Sequence, residues 1–428
     1  MSALAILGGK PAIPKSLDPY PSIGAAEQRA VFEVMQAGCL SGFYGSWREG
    51  FLGGPKVQEL EAAWSERFSV KHAVSVNSNT SGLYAAIGAA GIGPGDEVIV
   101  PCTTMSATAM APLIYGGIPV FADIDKGTFC IDLGSVQANL TDKTRAIIAV
   151  NLFGQAAPLK ELRALCDARG IVLIEDNAQA PLATENGQYC GTIGHISVFS
   201  LNYHKHIHTG EGGICCTNDD HLAERLRMIR NHAEAVVGPA GVKDLCNMIG
   251  FNFRMTELSA AIGSVQLADA DAHIGRREYL GGRLTEGISG LEGLTPPYVR
   301  PGCRHVYYLW VVRLDQARLG VSRSTFVEAL EAEGVPCFPA YVAPIYQLPL
   351  FRDRIAIGRE GYPFSLTDRI YNRGLCPVAE DLYEREIVAF ETCAFDVDDD
   401  DIDRLVDAFR KVHAGCTTLA EWERKKAS

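Results

Sequence analysis

Residues 170–179, GIVLIEDNAQ, run from a glycine through four apolar side chains into two acids and an amide. An unbroken apolar run has no polar face, which fits a strand buried on both sides of a sheet rather than a half-exposed one. Asp176 then falls where that strand ends. Immediately upstream, PLKELRALCDARG (158–170) spaces its apolar residues as a helix does and stops on a glycine. Further out, DEVIVP (96–101), IPVFADI (118–124), RAIIAVNLFG (145–154) and ISVFSLN (196–202) repeat the strand texture, and TSGLYAAIGAAGI (80–92) repeats the helical one. Strand and helix in alternation predict an α/β fold with a mainly parallel, doubly wound sheet flanked by helices. Ligands on such sheets bind beyond the carboxyl ends of the strands, which is where Asp176 stands.

After FNFRMTELSAAIGSVQL (251–267) the texture changes. A helical pattern reaches about Gly290, HVYYLWVVRLD (305–315) reads as a strand, SRSTFVEALEAEG (322–334) as a capped helix, and DDDDIDRLVDAFRKVHAG (398–415) as a last helix. The four acids suit a helix amino terminus better than a cation site. The expected division is 1–265, an N-terminal segment with a large α/β domain, and 266–428, a smaller α+β domain.

Composition narrows the function. Of the 428 residues, 21% are charged and the net charge is -12, so a nucleic-acid backbone or an anionic membrane finds little to hold. No apolar run approaches the length of a membrane span, and the amino terminus, broken by Gly8, Gly9 and Lys10, does not read as a signal peptide. The 13 cysteines are scattered without a Cys-x-x-Cys pair, so neither a disulfide framework nor a metal site is expected, and a reducing cytoplasm is the simplest home. Cys215 and Cys216 read as strand residues.

Three features converge on the predicted carboxyl edge. VNSNTSGLYAA (76–86) opens a helix whose free amides at Asn79, Thr80 and Ser81 suit a phosphate, although simple capping explains the same residues. IEDNAQ sets Gln179 three residues after Asp176. HKHIHTGEGG (204–213) follows Ser200 with Lys205, three alternating histidines and a glycine turn. A metal reading takes His204, His206 and His208, which share one face of an extended chain, but no further ligand cluster accompanies them. A covalent reading takes Lys205, whose neutral amine condenses with an aldehyde. A buried, positively flanked setting would keep part of that amine neutral. A phosphorylated pyridine aldehyde needs a phosphate cradle, a carboxylate for its ring nitrogen and an amine. The chain offers a candidate for each.

With these motifs in order, and with GGPKVQELEAAW (53–64), PVFADID (119–125), PIYQLPLF (344–351) and CPVAEDLYERE (376–386), the chain resembles the DegT/DnrJ/StrS sugar aminotransferases, pyridoxal-phosphate enzymes of fold type I. The resemblance implies that Lys205 bonds the cofactor aldehyde and moves a proton, Asp176 pairs with the ring nitrogen and Gln179 with the ring hydroxyl. It implies that Ser200 holds the phosphate with the amides at Asn79 and Thr80, and that Asn252 reaches the phosphate of a neighbouring subunit, which makes a homodimer with shared active sites. Two positions depart from the family pattern. Asn79 stands for a common glycine and would alter a left-handed turn, and Met105 stands for an aromatic ring that stacks on the cofactor. The implied reaction is ping-pong transfer of an amino group from glutamate or glutamine to a keto sugar or keto-cyclitol. A dehydratase of the same fold, in which histidine replaces the lysine, and a non-catalytic regulatory binder are the alternatives. Residues 41–54, SGFYGSWREGFLGG, are expected to form a substrate-facing flap.

Overall fold

The computed structural model describes residues 3–427. Its main sheet has seven strands, β1 (His72–Val76), β2 (Glu97–Pro101), β3 (Ile118–Ala122), β4 (Thr144–Val150), β5 (Val172–Asp176), β6 (Ile196–Ser200) and β7 (Gly213–Thr217). Their order across the sheet is β1-β7-β6-β5-β4-β2-β3. From β6 to β3 every neighbouring pair is parallel, and β7 alone runs antiparallel, to both β6 and β1. The sheet is thus the mainly parallel, helix-flanked one expected. Every residue of β2, β3, β6 and β7 is buried, as strands covered on both faces must be. Cys215 and Cys216 lie inside β7.

Crossover helices close the parallel units. Leu159–Arg169 buries Leu159, Leu162 and Cys166 and ends at Gly170 with φ 63°, a left-handed cap that glycine adopts without strain. Helix Pro55–Phe68 lays Trp64 and Phe68 against Phe199, with ring centroids 5.2 and 4.8 Å from it. Each such fully buried ring stabilises the fold by about 1.5–3 kcal/mol, and Phe199 immediately precedes Ser200. Core packing therefore fixes where β6 ends.

A second, four-stranded antiparallel sheet includes Leu309–Leu314, Cys337–Pro339 and Ile387–Glu391. Its core is built by Trp310, Phe326, Phe390 and Phe409. We propose residue 265/266, inside the helix Glu257–Ala268, as the division along the chain between the two cores, with several segments crossing it, among them Ala270, Ile274, Val306 and Tyr308 in the first core. Leu4, Ile13 and Leu17 join the second core, while Tyr346, Phe351 and Phe364 return to the first. The long helical pattern before Gly290 is two helices, Glu257–Ala268 and Ala270–Ile288. Ser322 caps Arg323–Ala332, and Asp398 caps Asp399–Ala414 by accepting from the Asp401 amide at 2.8 Å. That helix is not the last, because Cys416–Ala427 follows it. Among the described residues no helix is long and apolar enough to cross a membrane.

Candidate active site

Successive residues of a strand point to opposite faces, and that explains why IEDNAQ carries two acids. Glu175, fully buried, accepts from the amides of Gly191, Ile193 and Gly194 at 2.6, 2.8 and 2.5 Å and so holds the loop that leads into β6. Asp176, on the other face, lines a cavity of ≈ 170 Å³ at the carboxyl ends of β4, β5 and β6. Its Oδ2 accepts from Thr108 Oγ1 at 2.8 Å, and its Oδ1 accepts from Asn79 Nδ2 and the Ala178 amide, each at 3.3 Å. Burial pushes this carboxyl above its ordinary value, against those donors and the attraction of Lys205. Lys205 is the one cationic group among those influences.

Asn79, Thr80, Met105, Gln179, Ser200 and Lys205 line the same cavity, with Asn202, His204 and Glu211. Helix Asn79–Ala89 enters amino end first. Ser78 Oγ accepts from the Ser81 amide at 3.1 Å, so Ser81 is consumed by capping and the amides at Asn79 and Thr80 remain for a ligand. Ser200 sits beside them because β7 carries the helix start against β6. A Cβ at Gly213 would meet the Asn79 nitrogen at 2.8 Å and the Phe199 carbonyl at 2.9 Å, so this approach requires glycine. Asn79 itself needs no left-handed turn. It begins the helix after an extended Ser78 (φ -167°, ψ 160°), and its side chain instead bridges Asp176 and the Val198 carbonyl. The expected distortion at this departure is absent, and the amide gains a positioning contact.

The amine of Lys205 is lowered to about 8, first by burial, with Asp176, Cys393 and Glu391 pulling it back up. Burial, not a positive flank, produces the neutral fraction, and the flanking charges are of the opposite sign to that expected. The three histidines diverge because residues 204–208 are not extended. His204 lines the cavity, where partial desolvation of its ring and the nearby lysine lower it to about 4. His206 is buried with Nε2 2.8 Å from the Val306 carbonyl, and His208 accepts from the Gly210 amide at 3.3 Å. Among the described residues they form no metal-binding group.

Met105 is 60% exposed at the cavity mouth. Asn252 is exposed and does not line the cavity of its own chain; its Oδ1 accepts from Arg254 Nε at 2.7 Å. The loop 41–54 is not brought to this cavity either. Trp47, Phe51 and Leu52 line a separate one with His72, Asp220 and Arg227.

Three contributors escape a reading of the sequence. Thr108 is one more small residue in a helical stretch. Tyr308 sets its ring centroid 4.2 Å from Lys205 Nζ yet looks like a strand residue. Tyr341, pushed up to about 12 by burial, accepts from Gln179 Nε2 through its hydroxyl at 2.9 Å, while Gln179 Oε1 accepts from the Phe153 amide at 2.7 Å. Phe153 has φ 59°, and such left-handed geometry in a bulky residue concentrates at functional sites.

The residues present fit pyridoxal phosphate. A buried carboxylate short of counter-charge, free amides at a helix start beside a serine hydroxyl, and a partly neutral buried lysine are the donor set that this cofactor requires. The fold and site define a fold-type I pyridoxal-phosphate enzyme. The chain belongs to the DegT/DnrJ/EryC1/StrS aminotransferase family, which it matches over residues 30–407. It is 33% identical over 430 residues to the L-glutamine:2-deoxy-scyllo-inosose aminotransferase of Streptomyces kanamyceticus, covering 96% of this chain and 97% of that protein. It is 36% identical over 294 residues to the GDP-perosamine synthase of Caulobacter vibrioides, covering 68% of this chain and 78% of that protein. The solved aminotransferase from Psychrobacter cryohalolentis superposes with a TM-score of 0.82 at 29% identity, covering 94% of this chain and all of that one.

Proposed function

We propose that the enzyme moves an amino group from glutamate or glutamine to a ketone on a sugar or cyclitol, in two successive half-reactions. The observation that carries this reading is the shared cavity, where Lys205, Asp176, Gln179, Ser200 and the amides at Asn79 and Thr80 meet. When bound, pyridoxal phosphate supplies an aldehyde carbon that bonds amines and a ring that draws electrons from the adjacent carbon. Ser200 Oγ and the two helix amides bind the phosphate. Asp176, held by Thr108 and Asn79, keeps the ring nitrogen protonated, and Gln179, fixed by Phe153 and Tyr341, orients the ring hydroxyl. Lys205 gives and takes the substrate proton, with an amine already lowered to about 8 and so able to hold or release it near neutral pH.

The two named relatives point to different acceptors, one a cyclitol and one a nucleotide-linked sugar. A panel of keto-cyclitols and nucleotide-linked keto sugars, offered to the pyridoxamine-loaded enzyme, tests the reading. One class should restore the pyridoxal form. Turnover with simple 2-oxo acids alone would overturn it.

The exposed side chain of Asn252, outside its own cavity, supports a homodimer in which it reaches the phosphate of the partner. Mixing Asn252→Ala with Lys205→Ala should restore part of the activity by joining two defects in one site. No rescue under demonstrated subunit exchange rules the shared site out. The 13 unpaired cysteines support work in a reducing cytoplasm.

A further inference from the structure

Cys102, Asp123 and Cys376 are far apart in sequence, yet their sulfur and carboxylate oxygen atoms lie within 4.8 Å of one another. The topology explains the meeting. β2 and β3 are parallel with Pro101 opposite Ala122, so the next residues, Cys102 and Ile124's neighbour Asp123, emerge side by side at the carboxyl edge. Cys376 arrives from the segment that returns to the first core, just before the short helix Pro377–Asp381.

Each donor is held in place. Asp123 Oδ1 accepts from the amides of Ile124 and Ala379 at 2.8 and 3.0 Å, and Oδ2 accepts only from the Val378 amide, at 2.9 Å, which leaves that oxygen a lone pair. The Cys102 carbonyl accepts from the Ile345 amide at 2.8 Å, and the Cys376 amide donates to the Tyr346 hydroxyl at 3.3 Å. Both cysteines have no exposed surface. Asp123 is half-buried and lines an open surface cavity of ≈ 450 Å³ together with Asp125, Asp132 and Pro377. Three carboxylates and Lys126 line that cavity, and the two sulfurs lie outside its lining.

Two sulfurs and one carboxylate select against magnesium and calcium, which take oxygen ligands, and suit a borderline-soft ion. Tetrahedral zinc binds sulfur at about 2.3 Å and carboxylate oxygen at about 2.0–2.2 Å, so the three donors need to close by only about 1 Å. We propose that Cys102, Cys376 and Asp123 form a binding site for a thiophilic divalent cation of the zinc class, distinct from the cofactor cavity. On binding, two S–H bonds break and their protons leave to solvent, while two sulfur–metal bonds and one oxygen–metal bond form. No electron is transferred. The site does not depend on the acceptor or donor of the amino group. Cys102 is two residues from Thr104 and three from Met105, both in the cofactor cavity wall.

The test uses the full-length holoenzyme freed of metal with a chelator and titrated with Zn2+ and Cd2+ alone. One equivalent should stay bound after dialysis, and Cd2+ should give the ultraviolet band of thiolate ligation. Bound metal should protect Cys102 and Cys376 from slow alkylation, read for each cysteine by mass spectrometry, a measurement that needs no variant. Cys102→Ala and Cys376→Ala should each weaken binding by roughly 100-fold and Asp123→Asn by about 10-fold, while Cys39→Ser with Cys246→Ser, which removes the two exposed thiols, should leave it unchanged. Absence of a retained equivalent, protection of other cysteines instead, or a Cys102–Cys376 disulfide formed in place of metal binding would overturn the site.

Discussion

The residues that line the cavity and the tyrosines behind them are built by different means. Asp176, Ser200 and Asn79 sit at the ends of strands or the start of a helix, so the sheet itself places them and short hydrogen bonds to main chain and Thr108 aim them. Tyr308 and Tyr341 come from the later part of the chain and act by covering: one ring lies over Lys205, the other hydroxyl meets Gln179. The first group sets which charges are present, and the second sets how much water reaches them. Charge placement and protonation state are therefore separable properties of this site.

Substitutions can break that separation. The largest effect belongs to Lys205→Ala, which should abolish the visible absorbance of the lysine-bound cofactor and lower kcat by about 10^4-fold, since covalent anchor and proton carrier are lost together. A folded variant with near wild-type turnover would remove Lys205 from the mechanism. Asp176→Ala should retain cofactor, because the phosphate contacts are elsewhere, while kcat falls by about 10^3-fold. Equilibrium dialysis against pyridoxal phosphate separates the two outcomes, and loss of cofactor with turnover per bound cofactor intact would show that the aspartate serves binding only.

The smallest and sharpest test is Tyr308→Ala in the apoenzyme. Two effects oppose each other there. Burial lowers the amine of Lys205 from 10.5 to about 8, roughly 3 kcal/mol against the ammonium, whereas a ring face attracts the ammonium by about 0.5–2 kcal/mol. Burial is the larger, so admitting water should move the amine upward and shrink its neutral fraction at pH 8. The pH dependence of amine labelling at Lys205 reads this directly, and Tyr308→Phe should restore the lower value. A downward shift would show that the ring's attraction, not its shielding, dominates.

Legibility in the sequence follows the same division. The buried strands announced themselves as short apolar runs, and Asp176 and Ser200 stood out because each ends such a run, with Lys205 following in a polar turn before a glycine-rich one. Tyr308 and Tyr341 carried no such contrast, since aromatic residues in apolar stretches are what any core contains. The loop 41–54 lies outside its own chain's cavity, because glycine and aromatic content marks a loop but not the surface it covers. Cys102, Asp123 and Cys376 were invisible because their proximity arises from parallel register and a returning segment, neither of which local spacing encodes.

The antiparallel strand β7 has a consequence for the order of assembly. It alone joins β1, near the front of the chain, to β6, so residues 213–217 complete the sheet between the strand that leads to Asn79 and the strand that ends at Ser200. Closing so long a loop carries an entropic cost that local contacts cannot offset early. A ribosome-bound chain that stops short of β7 can hold folded crossover units and still have no phosphate cradle, and cofactor capture during synthesis would mark the moment when the central sheet is complete.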